Sequence, residues 1–305
     1  MPGNSYLTNL INCEAIAVQP IARQETARPD ISIDVLRLDF IHPVISGNKF
    51  FKLKHTILKA ITTGAKGIVS FGGAYSNHLV ALACLCNELK IPCVGVIRGE
   101  QPPLLSFTLQ DLARFNMNII YVTRAAYSDK DELNLWCQHN FPGYIIIPEG
   151  GQSEEGVTGA TEILQYAGTK EYDVVCCSVG TGTMMAGLLR ASHPGQQLLG
   201  ISSLKMPPGN GIEEFITSHA PGKFFSINYE YHFGGYAKSS AALIGFMNKL
   251  WHNHQLPTDF VYTAKMFYGL FDLVEKNHFV TGCRILAIHS GGLQGNRSLA
   301  HLLDY

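Results

Sequence analysis

The chain has 305 residues, a formal net charge of −1 and 46% hydrophobic residues, enough for a sizeable core in one large domain or two domains of about 150 residues each. With charge near zero, no basic stripe and no alternation of aromatic and basic residues, nucleic acid and anionic membrane are not expected as partners. The longest apolar runs, such as residues 79–86, are far too short to span a bilayer, and no basic-then-apolar leader opens the chain. A soluble cytoplasmic protein is the expectation. Its eight cysteines lie mostly in apolar runs. Neither Cys84-Leu85-Cys86 nor Cys176-Cys177 has zinc-site spacing, and no second pair completes a set. Buried reduced thiols and no metal site are expected.

Residues 31–40 alternate, with Leu36, Leu38 and Phe40 opposite Arg37 and Asp39, which reads as a strand. Ile33 and Val35 share the charged face and blur the pattern. A helix then starts at Lys49, with Phe50, Leu53, Ile57 and Leu58 as its apolar stripe, and stops at Gly64. Strand 68–71, a glycine turn and helix 77–90 follow. Strand 92–97, helix 105–115, strand 118–122, helix 130–139 and strand 144–147 continue the alternation. After Gly150-Gly151 a second series begins: helix 156–166, strand 173–179, the loop Gly180-Thr181-Gly182-Thr183, helix 184–191 and a strand-like stretch at 198–204. Irregular loops at 207–211 and 234–236 and a helix over 239–252 precede a strand end at Val261-Tyr262-Thr263. Helix 264–277 and strand 285–289 close the series before Ser290-Gly291-Gly292. Strands alternating with helices predict an α/β fold with open, mostly parallel sheets flanked by helices. Two series split near Gly150 suggest two domains, with a ligand between the carboxyl ends of the strands.

Three stretches carry candidate chemistry. Lys49 follows Gly47-Asn48 at a helix start, where the macrodipole disfavours a cation, and a desolvated lysine there loses its proton more readily. That is what a lysine nucleophile needs, although many lysines at such places simply reach water. The loop Gly180 to Thr183, between a strand and a helix, offers converging N–H groups, hydroxyls and a helix N-terminus, an outline that suits phosphate. It is neither a Walker A loop nor GxGxxG, and a tight turn would look similar. Ser76-Asn77-His78 opens a helix; it caps that helix or presents N–H groups to a carboxylate, or does both. Tyr236, Tyr262, Thr263 and Ser290 stand at the expected rim. His252 and His254 read as a polar helix end.

In order along the chain, GNKFFKLK, FGGAYSNH, PEGGQSEEG, VGTGTMMAGL, GGY, VYTAKM and IHSGG resemble the 1-aminocyclopropane-1-carboxylate deaminase / D-cysteine desulfhydrase family. That family belongs to the tryptophan-synthase-β-like, fold type II pyridoxal-phosphate enzymes. The likeness spans about residues 40–293. It implies pyridoxal 5′-phosphate as cofactor and a homodimer. It also implies a large cofactor-binding domain of residues 1–45 and 157–305 beside a smaller α/β domain of residues 46–156. Lys49 would link covalently to the cofactor and, once freed, move the substrate Cα proton. Asn77 would bond the cofactor's 3′ oxygen, and Ser76 with the backbone of Asn77 and His78 would hold the substrate carboxylate. Gly180, Thr181, Gly182 and Thr183 would bind the phosphate. Tyr236 and Tyr262 would act at the substrate face, Thr263 would meet the pyridine nitrogen, and Ser290 would lie against the cofactor.

The chain departs from the family pattern in three places. Phe51 stands where an arginine is common, and the loop reads GTGTMMAG where GSGGT is commoner. Thr263 stands where ring-opening deaminases carry glutamate. A neutral hydroxyl there makes a weaker electron sink and suits a good leaving group. The expected activity is therefore α,β-elimination from a small amino acid, D-cysteine to pyruvate, hydrogen sulfide and ammonia. Ring-opening deamination is the nearer alternative, and a non-catalytic protein that merely holds pyridoxal phosphate is the alternative of another class.

Overall fold

The computed structural model describes Leu7, residues 10–22 and residues 28–305. Some of the polar turns expected near the N-terminus, at 1–6, 8, 9 and 23–27, lie outside the described residues. In chain order the first elements are β1 (Val18–Pro20), β2 (Ser32–Arg37), α1 (Asn48–Thr63), β3 (Gly67–Gly72), α2 (Asn77–Leu89) and β4 (Cys93–Arg98). Next come α3 (Phe107–Arg114), β5 (Asn118–Val122), α4 (Lys130–Asn140), β6 (Tyr144–Ile147) and α5 (Glu154–Thr161). The remainder are β7 (Val174–Val179), α6 (Thr183–Ala191), β8 (Gln197–Ser202), α7 (Ile212–His219), β9 (Phe225–Asn228), α8 (Ala241–His254), α9 (Thr263–Glu275) and β10 (Arg284–His289).

Among the described residues the strands form a six-stranded sheet, β1-β2-β10-β7-β8-β9, and a four-stranded sheet, β5-β4-β3-β6. All neighbours run parallel except β1 against β2. This is the expected α/β architecture. Helices cover both faces of the sheets, so β3 and β7 are buried at every position and read as mostly apolar runs, each with a single serine. The same geometry explains the blurred alternation before Lys49. Ile33 and Val35 belong to the core that includes Phe267 and Leu270 of α9, while Leu36 and Leu38 belong to the one that includes Phe50 and Leu53 of α1. Strand β2 is two-sided, and it ends at Arg37, short of the expected Phe40.

Helix α1 carries the site, and its packing is tight. Phe50, Phe51, Leu53 and Ile57 are all at most 3% exposed, each such burial contributing about 1.5–3 kcal/mol. Leu58, expected in the stripe, is only half-buried at its edge. Phe51 points into the core and meets Phe50 and Tyr166 edge-on at 5.4 and 5.9 Å. Helix α5 comes so close to α1 that a Cβ on Gly159 would lie 1.8 Å from the Phe51 carbonyl oxygen. The helix ends at Gly64, in the left-handed region with φ 64°, whose N–H returns to the Ala60 and Ile61 carbonyls.

The expected strand end at 261–263 is not a strand. Val261 and Tyr262 lead irregularly into α9, and the carboxylate of the wholly buried Asp259 accepts from the N–H groups of Val261, Tyr262 and Thr263 at 2.9–3.0 Å. The β-branched and aromatic residues that suggest a strand are instead held by a side-chain cap.

Candidate active site

The carboxyl ends of both sheets open on one cavity of about 520 Å³. Lys49, Ser76, Asn77, His78, Gly180, Thr181, Gly182, Tyr236, Tyr262 and Ser290 all line it, brought together from six separate stretches of chain. Two of the expected residues, Thr183 and Thr263, do not line it.

Lys49 is the second residue of α1, and the approach to it is set by Gly47. A Cβ on Gly47 would stand 1.9 Å from the Ser290 carbonyl oxygen, and its φ of 64° is a conformation few other residues adopt. The Asn48 N–H donates to that same carbonyl at 3.2 Å, and the Gly292 N–H donates to Ser46 Oγ at 3.3 Å. The start of α1 is thereby sutured to the end of β10. The Lys49 ammonium donates to Asn48 Oδ1 at 2.7 Å and lies 5.6 Å from the centre of the Tyr262 ring. Burial pushes its pKa down to about 8, against the pull of Asp259. Roughly one molecule in ten then carries a neutral Lys49 at pH 7, against fewer than one in a thousand for an ordinary lysine.

His78 donates from Nε2 to Ser70 Oγ at 2.9 Å, because the single Ser70 hydrogen goes to the Ile147 carbonyl, also at 2.9 Å. Nδ1 is therefore a bare, buried acceptor without a protein partner. Burial, with the Lys52 and Lys49 cations nearby, drives the imidazole pKa down to about 3. It is neutral at physiological pH and supplies no acid catalysis. Tyr236 and Tyr262 meet edge-on with centroids 6.1 Å apart. Burial raises the Tyr236 hydroxyl to about 12 and raises that of Tyr262 well above its ordinary value, so both are proton donors at neutral pH.

The phosphate-like corner is more complete than the sequence suggests. Helix α6 begins at Thr183 with Gly182 as N-cap, which offers no side-chain acceptor, so the first N–H groups of the helix stay open. Thr183 is buried behind the loop, its hydroxyl 2.9 Å from that of Thr181. Beside the loop stands Lys52, which sequence reasoning missed. Its ammonium is 6% exposed with one carbonyl partner, Gly150, at 3.2 Å, and a Cβ on Gly150 would lie 2.7 Å from the Thr181 methyl. Burial first, then the Lys49 charge, lowers the Lys52 pKa far below the ordinary value. The available signal was its i, i+3 spacing from Lys49 on one helix face. A buried amine with a single carbonyl, next to an uncapped helix start, lacks only an anion.

Thr263 does not take the position expected of it. Its hydroxyl donates to Asp259 Oδ1 at 2.7 Å and accepts from the Asp259 N–H, also at 2.7 Å, away from the cavity. Two serine hydroxyls line the cavity at the ends of β7 and β10, Ser290 and the unanticipated Ser178, 3.3 Å apart. A lysine amine, an anion cradle and neutral serine hydroxyls in one cavity fit a phosphate-bearing aldehyde that also has a ring nitrogen.

A family model described as "Pyridoxal-phosphate dependent enzyme" matches residues 15–291. The chain belongs to the pyridoxal-phosphate dependent enzyme family. Its cofactor is therefore pyridoxal 5′-phosphate, and the residues above are the ones that would hold it: Lys49 for the covalent link, Lys52 with Gly180, Thr181, Gly182 and the start of α6 for the phosphate, Ser178 and Ser290 for the ring nitrogen. A putative 1-aminocyclopropane-1-carboxylate deaminase of Pyrococcus furiosus is 28% identical over 291 residues, covering 86% of this chain and 85% of that protein. A bifunctional D-cysteine desulfhydrase/1-aminocyclopropane-1-carboxylate deaminase of Arabidopsis thaliana is 24% identical over 289 residues, covering 86% and 72%. Among solved structures, that of an ACC deaminase homologue covers 99% of both chains at 22% identity and a TM-score of 0.79, which establishes the shared fold. Within this family site, Lys52→Met should weaken cofactor binding about 10- to 100-fold, the loss of a charge-assisted contact to phosphate. Titrating apo-protein with pyridoxal phosphate measures this, and an unchanged affinity would remove Lys52 from the cradle.

Proposed function

We propose that the protein is a pyridoxal-phosphate lyase that eliminates the β-substituent of a small amino acid. D-cysteine, which with water gives pyruvate, hydrogen sulfide and ammonia, is the first candidate. The observation that carries this is that one cavity brings together a Lys49 amine whose pKa burial lowers to about 8 and the neutral serine hydroxyls of Ser178 and Ser290. Asp259, whose carboxylate caps the turn that carries Tyr262, already holds four donors.

When bound, pyridoxal phosphate withdraws electrons from the substrate Cα and makes its proton removable. Lys49 Nζ then takes that proton and returns it later. Ser76 and the first N–H groups of α2 hold the carboxylate and fix which Cα bond faces the lysine. Tyr236 and Tyr262 shield the face from water and donate to the departing group. Hydroxyls at the ring nitrogen leave it less electron-withdrawing than a carboxylate would, which favours hydrosulfide over a strained ring carbon as the group expelled.

Ring-opening of 1-aminocyclopropane-1-carboxylate is the second reading, supported by what the relatives are called. Assaying both substrates by their keto-acid products separates the two. Pyruvate with stoichiometric sulfide from D-cysteine, at a kcat/KM at least tenfold above that for the cyclopropane, is expected. 2-Oxobutanoate as the faster product would overturn the elimination assignment. A cytoplasmic homodimer is part of the proposal, resting on the family likeness and on eight free cysteines, which suit a reducing compartment.

A further inference from the structure

The motif at residues 261–266 contains a lysine for which the site has no evident use. Lys265, in the first turn of α9, is wholly buried. Its ammonium donates to the Gly235 carbonyl at 2.7 Å and to the Ser203 carbonyl at 3.4 Å. Asp259 acts on it only through space, and burial lowers its pKa to about 8. A methionine would fill the same volume without the several kcal/mol that a buried ion costs. What methionine cannot do is hold two carbonyl groups.

Both acceptors belong to irregular segments that line the cavity. Ser203 follows β8 and leads into Leu204, Lys205 and Met206, and Gly235 precedes Tyr236. The segments touch, since a Cβ on Gly235 would lie 3.4 Å from Lys205 Cβ. The second segment is strained: Phe233, Gly234, Gly235 and Ala237 have φ of 50°, 91°, 115° and 53°. Two of these are not glycine, and such backbone persists only where its surroundings impose it. The tip of the segment is fixed by the Tyr236 hydroxyl, which donates to the Tyr75 carbonyl at 3.1 Å in the turn after β3. Its root is fixed by Lys265.

We propose that Lys265 is a positioning residue whose ammonium bridges the two cavity-lining segments and so holds Tyr236 over the substrate. The identity of that substrate, a small amino acid, rests on the proposed function; the bridging does not.

Lys265→Met keeps the volume and removes the donors. In the cofactor-loaded protein, hydrogen–deuterium exchange over residues 232–238 should accelerate roughly tenfold, while β8 and the body of α9 exchange as before. The visible band of the bound cofactor should be unchanged. The concentration of alanine that half-shifts that band should rise about tenfold, a readout independent of elimination because alanine has no β-leaving group. Lys265→Gln, which returns one neutral N–H donor, should recover part of both effects. Unaltered exchange over 232–238, or an increase shared equally by β8 and α9, overturns the proposal. Failure of both variants to fold with cofactor also overturns it, assigning the lysine to general stability. If neither enantiomer of alanine shifts the parent band, the amino-acid substrate falls, and the exchange result still decides Lys265.

Discussion

Lys49→Ala is expected to lower kcat by about a thousandfold or more. The change removes both the covalent attachment point and the base that moves the Cα proton, and positioned proton transfer alone is worth about 10²- to 10⁴-fold. The cofactor should still bind, held at the phosphate by Lys52, Gly180 to Gly182 and the start of α6, but without the absorption of a lysine-linked aldehyde. In the parent protein the rate of covalent cofactor capture has a sign that follows from burial. The neutral amine is the nucleophile, and the Lys49 pKa lies near 8 instead of 10.5. Capture should therefore climb close to tenfold between pH 6 and pH 7 and level off above about pH 8 to 9. A rate still climbing tenfold per unit at pH 9 would show that Lys49 is not desolvated, and parent-level turnover by Lys49→Ala would remove it from the chemistry.

Asp259→Ala should lower folded stability by roughly 3–6 kcal/mol. The carboxylate is wholly buried and accepts from three backbone N–H groups and the Thr263 hydroxyl. Alanine would strand those donors at about 1–3 kcal/mol each, offset in part by the burial cost of the carboxylate it removes. Against a typical total of about 5–15 kcal/mol, that is a large fraction. Activity should fall as well, because the same bonds fix Tyr262 at the cavity wall beside Lys49. Asp259→Asn, which keeps one acceptor oxygen, should be milder on both counts. Thermal unfolding of the three proteins gives the order, and a parent-like melting temperature for Asp259→Ala would contradict the capping role.

The fold was legible because parallel strands covered on both faces leave short apolar runs between helical stripes, and the runs at 68–71, 92–97, 173–179 and 285–289 all lie in the sheets. The edge strands β1 and β9 were not legible, being three and four residues long with little apolar content to mark them. The stretch Val261-Tyr262-Thr263 misled for a definite reason. Its residue types favour strands, while its conformation is dictated by Asp259, whose hydrogen bonds a periodicity argument does not weigh. Thr263 was misplaced for the same reason, since its hydroxyl turns to Asp259. The cavity residues contributed by glycine-rich turns were visible in their motifs. Lys52 and Ser178 were not, because only the packing of α1 against the Gly150 turn and the pairing of β7 with β10 bring them to the site.

Two buried lysines three residues apart raise the question of which one carries the cofactor. Burial lowers the pKa of both lysines, so basicity alone does not choose between them. Geometry chooses Lys49. Its side chain is the more open to the cavity and lies under Tyr262, whereas Lys52 is 6% exposed and held at the Gly150 carbonyl beside the phosphate corner. An arriving phosphate would restore the Lys52 charge and hold it there. Borohydride reduction of the cofactor-loaded protein, followed by proteolysis and mass mapping of the pyridoxyl group, decides the matter directly. The label is expected on Lys49; a label on Lys52 or Lys265, or none at all, would contradict the account of this site.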